Sequence, residues 1–277
     1  MGLRVNTNVQ SLAAQRNLGM TNAAQKGSLE KLASGTRIVR SADDAAGLAI
    51  SEKMRAQVRS IRQDTRNAND GISMIQTAEG GMNEIGNILV RFRELSIQGA
   101  SDTIGDNERA FIDKEVQQLR SEIDRISQST EFNGQKLLAG ESKQLEIQIG
   151  QGNKAEADRF SFDLADSDVS ADRLGVSSLS VRDKASAQAN LDVIDSAINS
   201  LSSSRANLGA MQNRLQSVVN NLGVYDENLS AARSRIFDID MASETAEMAK
   251  NNILSQAGTS VLSQANQNPM LALKLIG

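Results

Sequence analysis

The apolar positions in the last third of the chain recur at alternating steps of four and three. The series runs through 187, 191, 194, 198, 201, 205, 208, 212, 215, 219, 222, 226, 229, 233 and 236, and eleven of these fifteen positions are apolar. A 4-3 repeat holds one narrow stripe toward a partner helix, which is what a coiled coil requires. At about 1.5 Å per residue this helix runs about 75 Å. A stripe of that length needs partner helices of similar length, so the pattern predicts a rod.

Two stretches supply the partners. From about Asp43 to Ile97, the residues Ile61, Thr65, Ala68, Ile72, Ile75, Glu79 and Met82 alternate in the same way. Ile85, Leu89 and Phe92 resume the series after one shortened step. Ser41 with Asp44 reads as a capping-box-like start for this helix. A turn over 101–107, closed by Asp106 or Asn107 as a cap, leads to a third helix carrying Ile112, Val116, Leu119, Ile123 and Ile126. Asn69-Asp70-Gly71 ordinarily stops a helix, yet the repeat continues through it. Either the irregularity is tolerated, or these small and amide side chains pack closely against another chain.

The middle changes period. Phe132-Asn133-Gly134 signals a turn. Leu145, Ile147 and Ile149, then Phe160, Phe162 and Leu164, alternate with polar residues on either side of GQGNKAEAD, which predicts a β-hairpin or a small sheet. Residues 165–183 are rich in Ser and Asp and show no periodicity, so they read as loop.

Both ends are helical in pattern but poor in bulk. Val5, Val9 and Leu12 follow the 4-3 spacing, after which the stripe is mostly Ala and Gly as far as Leu32. In the final block Ala246, Ala249, Ile253, Ala257, Val261 and Ala265 form the stripe, and Pro269 should end or kink the helix. Leu271, Leu273 and Leu275 stand two apart, on no single helical face. Buried apolar area stabilises by about 25 cal/mol per Å², whereas ordering backbone costs about 1–2 kcal/mol per residue. Small stripe residues therefore leave the ends dependent on other copies of the chain for their stability.

Composition narrows the chemistry. The 277 residues include no Cys, no His, no Trp and one Pro. The usual general base and the commonest metal ligand are missing, as are thiol catalysis and disulfides. The case for an enzyme, or for any cofactor, is correspondingly weak. A net charge of -4 gives no basic footprint for nucleic acid. No apolar run approaches the ~20 residues of a membrane span, and MGLRVNTNVQSLAAQ lacks the apolar core of a secretory signal.

Isolated motifs dissolve in context. Gly150 to Ala155 matches G-x-G-x-x-A, but another strand follows instead of a helix, so a hairpin loop is expected. Ser28-Leu29-Glu30-Lys31 matches S-x-x-K without its companion elements. Asp163, Asp166 and Asp168 lack the glycine and glutamate of a calcium loop and read as a solvated acidic loop. Arg91, Arg93 and Glu94 flank the Leu89/Phe92 stripe, with Leu95 at its edge, and Glu115 flanks the next helix.

Several stretches together resemble one family. VNTNVQSLAAQRNL at 5–18, EKLASGTRIVRSADDAAGLAIS at 30–51 and RNANDGISMIQTAEG at 66–80 resemble the amino-terminal region of bacterial flagellin. SRIFDIDMASETAEMAKNNILSQAGTSVLSQANQNP at 234–269 resembles its carboxy-terminal region. Departures fall at Val39-Arg40, Phe237, Ile239 and the tail from Pro269 to Ile276.

The resemblance implies a mainly α fold, a long antiparallel coiled-coil rod with a small β-hairpin region. Terminal segments 1–40 and 236–277 would pair as D0. Segments 41–175 and 184–235 would form D1, and the loop 176–183 would stand where larger members insert outer domains. The implied function is a structural subunit that polymerises into the flagellar filament and is exported unfolded by the flagellar type III apparatus. Implied partners are further copies of the chain, an export chaperone, and hook-associated and cap proteins. By the same resemblance, Val5, Val9, Leu12, Ile253, Ala257, Val261 and Ala265 would pack in the filament. Arg91, Leu95 and Glu115 would fall on the epitope recognised by Toll-like receptor 5. Leu271, Leu273 and Leu275 would lie in the tail met by the chaperone or by inflammasome receptors. A hook–filament junction protein is the nearest alternative, and a chemoreceptor-like signalling coiled coil a distant one.

Overall fold

The computed structural model describes residues 7–140 and 143–274, with side chains as far as Gln267. The chain is mainly α-helical and divides into two compact units, residues 59–227 and residues 1–58 with 228–277. The division falls inside the two longest helices, α2 (Ala45–Gly99) and α5 (Lys184–Phe237).

In the unit of residues 59–227, α2 and α5 run antiparallel, as three cross-helix ion pairs show. Arg62 meets Asp226 at 3.1 Å, Glu79 meets Arg205 at 3.8 Å and Arg93 meets Asp195 at 2.8 Å. On α5 the 4-3 stripe splits into two series. Ala187, Ile194, Leu201, Leu208, Leu215 and Leu222 are buried at every seventh residue, while 191, 198, 205, 212, 219 and 226 are half-buried.

The repeat on α2 differs from its expected phase. Ile61, Ala68, Ile75, Met82, Leu89 and Ser96 are buried, and so are Asp64, Gly71, Ala78, Ile85, Phe92 and Gly99. The 4-3 seam is therefore unbroken from 61 to 99, without the shortened step. Half of its first three heptads is filled by Asp64, Gly71 and Ala78, which are small or polar. Thr65, Ile72 and Glu79, assigned to the seam from the pattern, are only half-buried.

Helix starts are also corrected. The Asp44 carboxylate accepts from the N–H of Gly47 at 2.8 Å, so Asp44 caps α2 rather than Ser41. Helix α3 (Asp106–Ser129) is capped by Gly105 without a side-chain bond. Asp106 is its first residue, where its charge favours the helix dipole.

Strands β1 (Glu131–Phe132) and β2 (Gln135–Lys136) form a two-residue hairpin. Asn133 and Gly134 turn it with φ of 50° and 76°, the left-handed pair that a tight hairpin needs. The expected second hairpin is present. Strand β3 (Gln144–Gln148) pairs antiparallel with β4 (Arg159–Asp163), setting Leu145 opposite Phe162 and Ile147 opposite Phe160. One helical turn, α4 (Ala155–Asp158), closes its loop.

This hairpin explains Asn69-Asp70-Gly71. A Cβ on Gly71 would stand 2.7 Å from Ile147 Cδ1 and 3.3 Å from Leu215 Cδ1, and the Asn67 amide donates to the carbonyl of Gln148 at 2.9 Å. The close packing at Gly71 is made by the chain's own hairpin, while Asn69 donates to the carbonyl of Thr65 on its own helix at 2.9 Å.

Segment 165–183 is irregular but not a solvated loop throughout. Val169, Ala171, Leu174, Val176, Leu179 and Val181 are buried in the core. The steps between them alternate two and three, a pattern that matches neither helix nor strand. Asp113 on α3 fastens the end of this segment. Its carboxylate accepts from the Ser180 hydroxyl (2.9 Å), the Val181 N–H (3.0 Å) and the Arg182 guanidinium (3.1 Å).

In the other unit, α1 (Val9–Ser34) pairs antiparallel with α6 (Met241–Lys274). A short clasp joins their bases. Thr36 bridges Asp238, Arg37 donates its N–H to Phe237 at 2.8 Å, and Ile239 donates to Gly35 at 3.2 Å. The Arg37 guanidinium also donates to the carbonyl of Ile236 at 2.7 Å, near the end of α5.

Pro269 does not end α6, which continues to Lys274. The proline leaves the carbonyl of Ala265 without its helical donor. The Asn8 amide fills that role, donating to Ala265 O at 2.7 Å.

Candidate functional surface

The terminal helices carry the feature that most needs explaining. Their shared seam is rich in small and polar residues, with few bulky apolar side chains. Ser11 donates to Asn266 (2.7 Å), Ser255 donates to Asn22 (3.1 Å), and Gln25 bonds Asn252. Gly258 lets the helices close, since a Cβ there would stand 3.2 Å from Leu18 Cδ1. Ser11, Ser28 and Asn251 are buried, whereas Val9 is 67% exposed, Leu12 56%, Ile253 67% and Val261 58%. Water normally drives the opposite arrangement. The inner seam mixes hydroxyls and amides with half-buried Leu18, Leu32, Met248 and Leu262, while Val9, Leu12, Ile253 and Val261 face outward.

The structure thus places Val9, Leu12, Ile253, Ala257 and Val261 on the outer surface of this unit. Ala265 is corrected. It is 7% exposed and belongs to the inner seam beside Asn8. Val5 and Leu275 lie outside the described residues. Leu271 and Leu273 fall within the span of α6, but their side chains lie outside the described ones. Met20, Leu29 and Leu254 are also exposed and fall off the stripes read from the sequence.

On the other unit, Arg91 of α2 binds Glu115 of α3 at 2.8 Å and Glu94 at 2.9 Å. Hydrogen bonds to Glu94 and to Glu115, with the charge of both carboxylates, hold the guanidinium charged. Leu95 is a second correction. It is 1% exposed, because it points into the core between α2 and its partners, and it offers no side chain to a binding protein. Arg91 and Glu115 come together, and Leu95 lies beneath.

The acidic loop is consumed by local turns. Asp163 accepts from the N–H of Ala165 at 2.9 Å and Asp168 from that of Ser170 at 3.0 Å. Gly150 and Gly152 pack against Asp158, whose carbonyl accepts from the N–H groups of Ile149 (2.8 Å) and Gly150 (3.0 Å). Among the described residues no cluster of three or more metal-binding side chains occurs, and no helix is long and apolar enough to cross a membrane.

One unit holds long helices with buried seams, and the other exposes apolar side chains on its helix pair, as a surface that meets another molecule does. The family models agree. Residues 5–143 match the bacterial flagellin N-terminal helical region and residues 191–276 match the bacterial flagellin C-terminal helical region. The flagellin of Halalkalibacterium halodurans is 46% identical over 273 residues, covering 98% of this chain and 99% of that one. The flagellin of Bacillus subtilis is 43% identical over 303 residues, covering 99% and 100%. The crystal structure of Bacillus cereus flagellin superposes with a TM-score of 0.51 at 32% identity, covering 57% of this chain and 88% of that one. The chain belongs to the bacterial flagellin family. It is a structural subunit of the flagellar filament, a self-polymer outside the cell that serves motility. Neither the hook–filament junction nor the signalling coiled coil is favoured.

Proposed function

We propose that copies of this chain join through α1 and α6, with Val9, Leu12, Ile253, Ala257 and Val261 packing against neighbours. The observation that carries this is the helix pair with its exposed branched side chains. Its inner seam closes partly with hydrogen bonds, which contribute only about 0.5–1.5 kcal/mol each, while Val9, Leu12, Ile253 and Val261 stay in water. Burying a Val, Leu or Ile side chain yields about 1.5–3 kcal/mol, so contact between copies recovers what the lone pair forgoes.

Ala257→Glu and Val261→Asp test the proposal. Either change should stop seeded growth of filaments while the far-ultraviolet helical signal and the melt of the 59–227 unit stay near wild type. Normal filaments from either variant would refute it. The segments assigned to joining are 1–40 and 236–277, around a body of 41–235.

Further roles rest on membership in the family. Export unfolded through the flagellar type III apparatus, delivery by an export chaperone, and contact with hook-associated and cap proteins are proposed on that ground. The carboxy-terminal block, with Leu271, Leu273 and Leu275, is the proposed chaperone and inflammasome segment.

Recognition by Toll-like receptor 5 is proposed for the Arg91–Glu115 pair, with Leu95 supporting it from below. Arg91→Ala should lower the response of a receptor-reporter cell to purified monomer. A wild-type monomer that evokes no response removes the reading.

A further inference from the structure

Asp64 occupies a core position of the α2 seam, between Ile61 and Ala68. The other members of its seven-residue series, Gly71, Ala78, Ile85, Phe92 and Gly99, are uncharged. Asp64 is 5% exposed, and its Oδ2 has no hydrogen-bond partner. An ionised carboxylate in that position would be buried without a donor or a cation, which is far less favourable than burying the neutral acid.

The surrounding elements bring no compensation. On the hairpin, Asp158 is itself acidic, and its Oδ2 accepts from the N–H of Lys154 at 2.9 Å. Arg159 is committed to Glu146 at 3.0 Å and to Asn153. On α2, Arg62 binds Asp226 of α5 at 3.1 Å, and Arg66 binds Gln63. On α5, Arg214 lies over the Phe160 ring at 5.2 Å. Burial first, and repulsion from Asp158 second, push the Asp64 carboxyl above the usual carboxylate range.

We propose that Asp64 is a proton-binding site, folded as the neutral acid, whose loss of the proton as pH rises loosens the packing of the β3–β4 hairpin on α2. That packing is made by Asn67 on Gln148 and Gly71 on Ile147, one and two turns further along the same helix. A group that is harder to ionise folded than unfolded stabilises fully below its unfolded value of about 4. The stabilisation fades as pH climbs through its folded value. This direction is opposite to that of an ordinary ion-paired carboxylate.

Asp64→Asn keeps the shape and cannot titrate. Both full-length chains are unfolded by denaturant from pH 4.5 to 8, with amide exchange followed at Ile149 and Gly150. The wild-type midpoint should fall relative to that of Asp64→Asn as pH rises. Exchange at those two amides, corrected for the intrinsic rate, should quicken in wild type only. Parallel midpoints and exchange across the range overturn the proposal. So does calcium chloride at pH 8 raising the wild-type midpoint but not the variant's, because the site would then take a metal cation. Should Asp64→Asn fail to fold, Asp158→Asn decides. Without the repulsion the loss must be complete at a lower pH, and an unmoved profile overturns the proposal.

Discussion

Pro269 removes one N–H from α6, and Asn8 replaces it. The same side chain caps α1, its Oδ1 accepting from the N–H of Ser11 at 3.1 Å while its amide donates to Ala265. A lost N-cap costs about 0.5–2 kcal/mol, and here the Ala265 carbonyl is left unpaired as well. Asn8→Ala should therefore speed amide exchange at Ser11 and lower the melting temperature of filaments. Adding Pro269→Ala restores a helical donor to Ala265 and should recover part of the filament loss, whereas equal losses in the single and double variants would contradict the account.

Asp113 makes the pH argument of the opposite sign. Burial pushes its carboxyl up, but bonds from Val181, Ser180 and Arg182 outweigh burial and hold it below the usual carboxylate range. Its contribution is present above the unfolded value of about 4 and is lost as pH falls through the folded one. Asp113→Asn should cost about 1–3 kcal/mol at pH 7 and cost progressively less below pH 4, read from denaturant midpoints. At this scale the sequence was only partly legible. Arg91 and Glu115 were picked out as seam-flanking charges, but nothing in their spacing announced that they bind each other or that Leu95 lies buried beside them.

Among elements, legibility followed side-chain bulk. Helix α5 was readable in its inner series, which is almost wholly Leu and Ile, but not at Asn190 and Ala197, which are buried in place of Leu191 and Ile198. Helix α2 was read out of phase because Asp64, Gly71 and Ala78 hold seam positions that a search for large apolar residues passes over. The reason they are small is tertiary, since Gly71 receives Ile147 of β3, and no local pattern reports on that. Gly71→Leu should accordingly destabilise the 59–227 unit by about 1–3 kcal/mol through overpacking. Leu208→Ala, at a buried rung of α5, should cost about 2–5 kcal/mol. Both are read from the denaturant midpoint, and a wild-type midpoint for Gly71→Leu would mean that the hairpin does not press on α2. The β3–β4 hairpin was legible from alternation alone. Segment 165–183 was not, because a two-three spacing is set by a chain winding over a surface rather than by its own hydrogen bonds.

For the whole molecule, the family resemblance and the seams point the same way, while the outward turn of branched side chains on the terminal pair emerged only from the structure. The helical stripe at each end suggested an apolar face but not which way it turned. A chain lacking residues 1–34 and 241–277 should keep its long helices and stay monomeric in a seeded growth assay. Elongation of that shortened chain would show that α1 and α6 are dispensable for joining.

The evenness of the buried rungs on α5 carries one more consequence. Two helices with identical rungs at equal intervals could mesh equally well after sliding past each other by seven residues. Sliding one way would set Arg62 against Arg233, and sliding the other way would set it against Val219. In both cases Glu79 and Arg93 would lose Arg205 and Asp195 as partners. Surface charges that add little to the depth of the native well thus act as a ratchet stop, alongside the uneven rungs of α2, where Gly71 packs on Leu215.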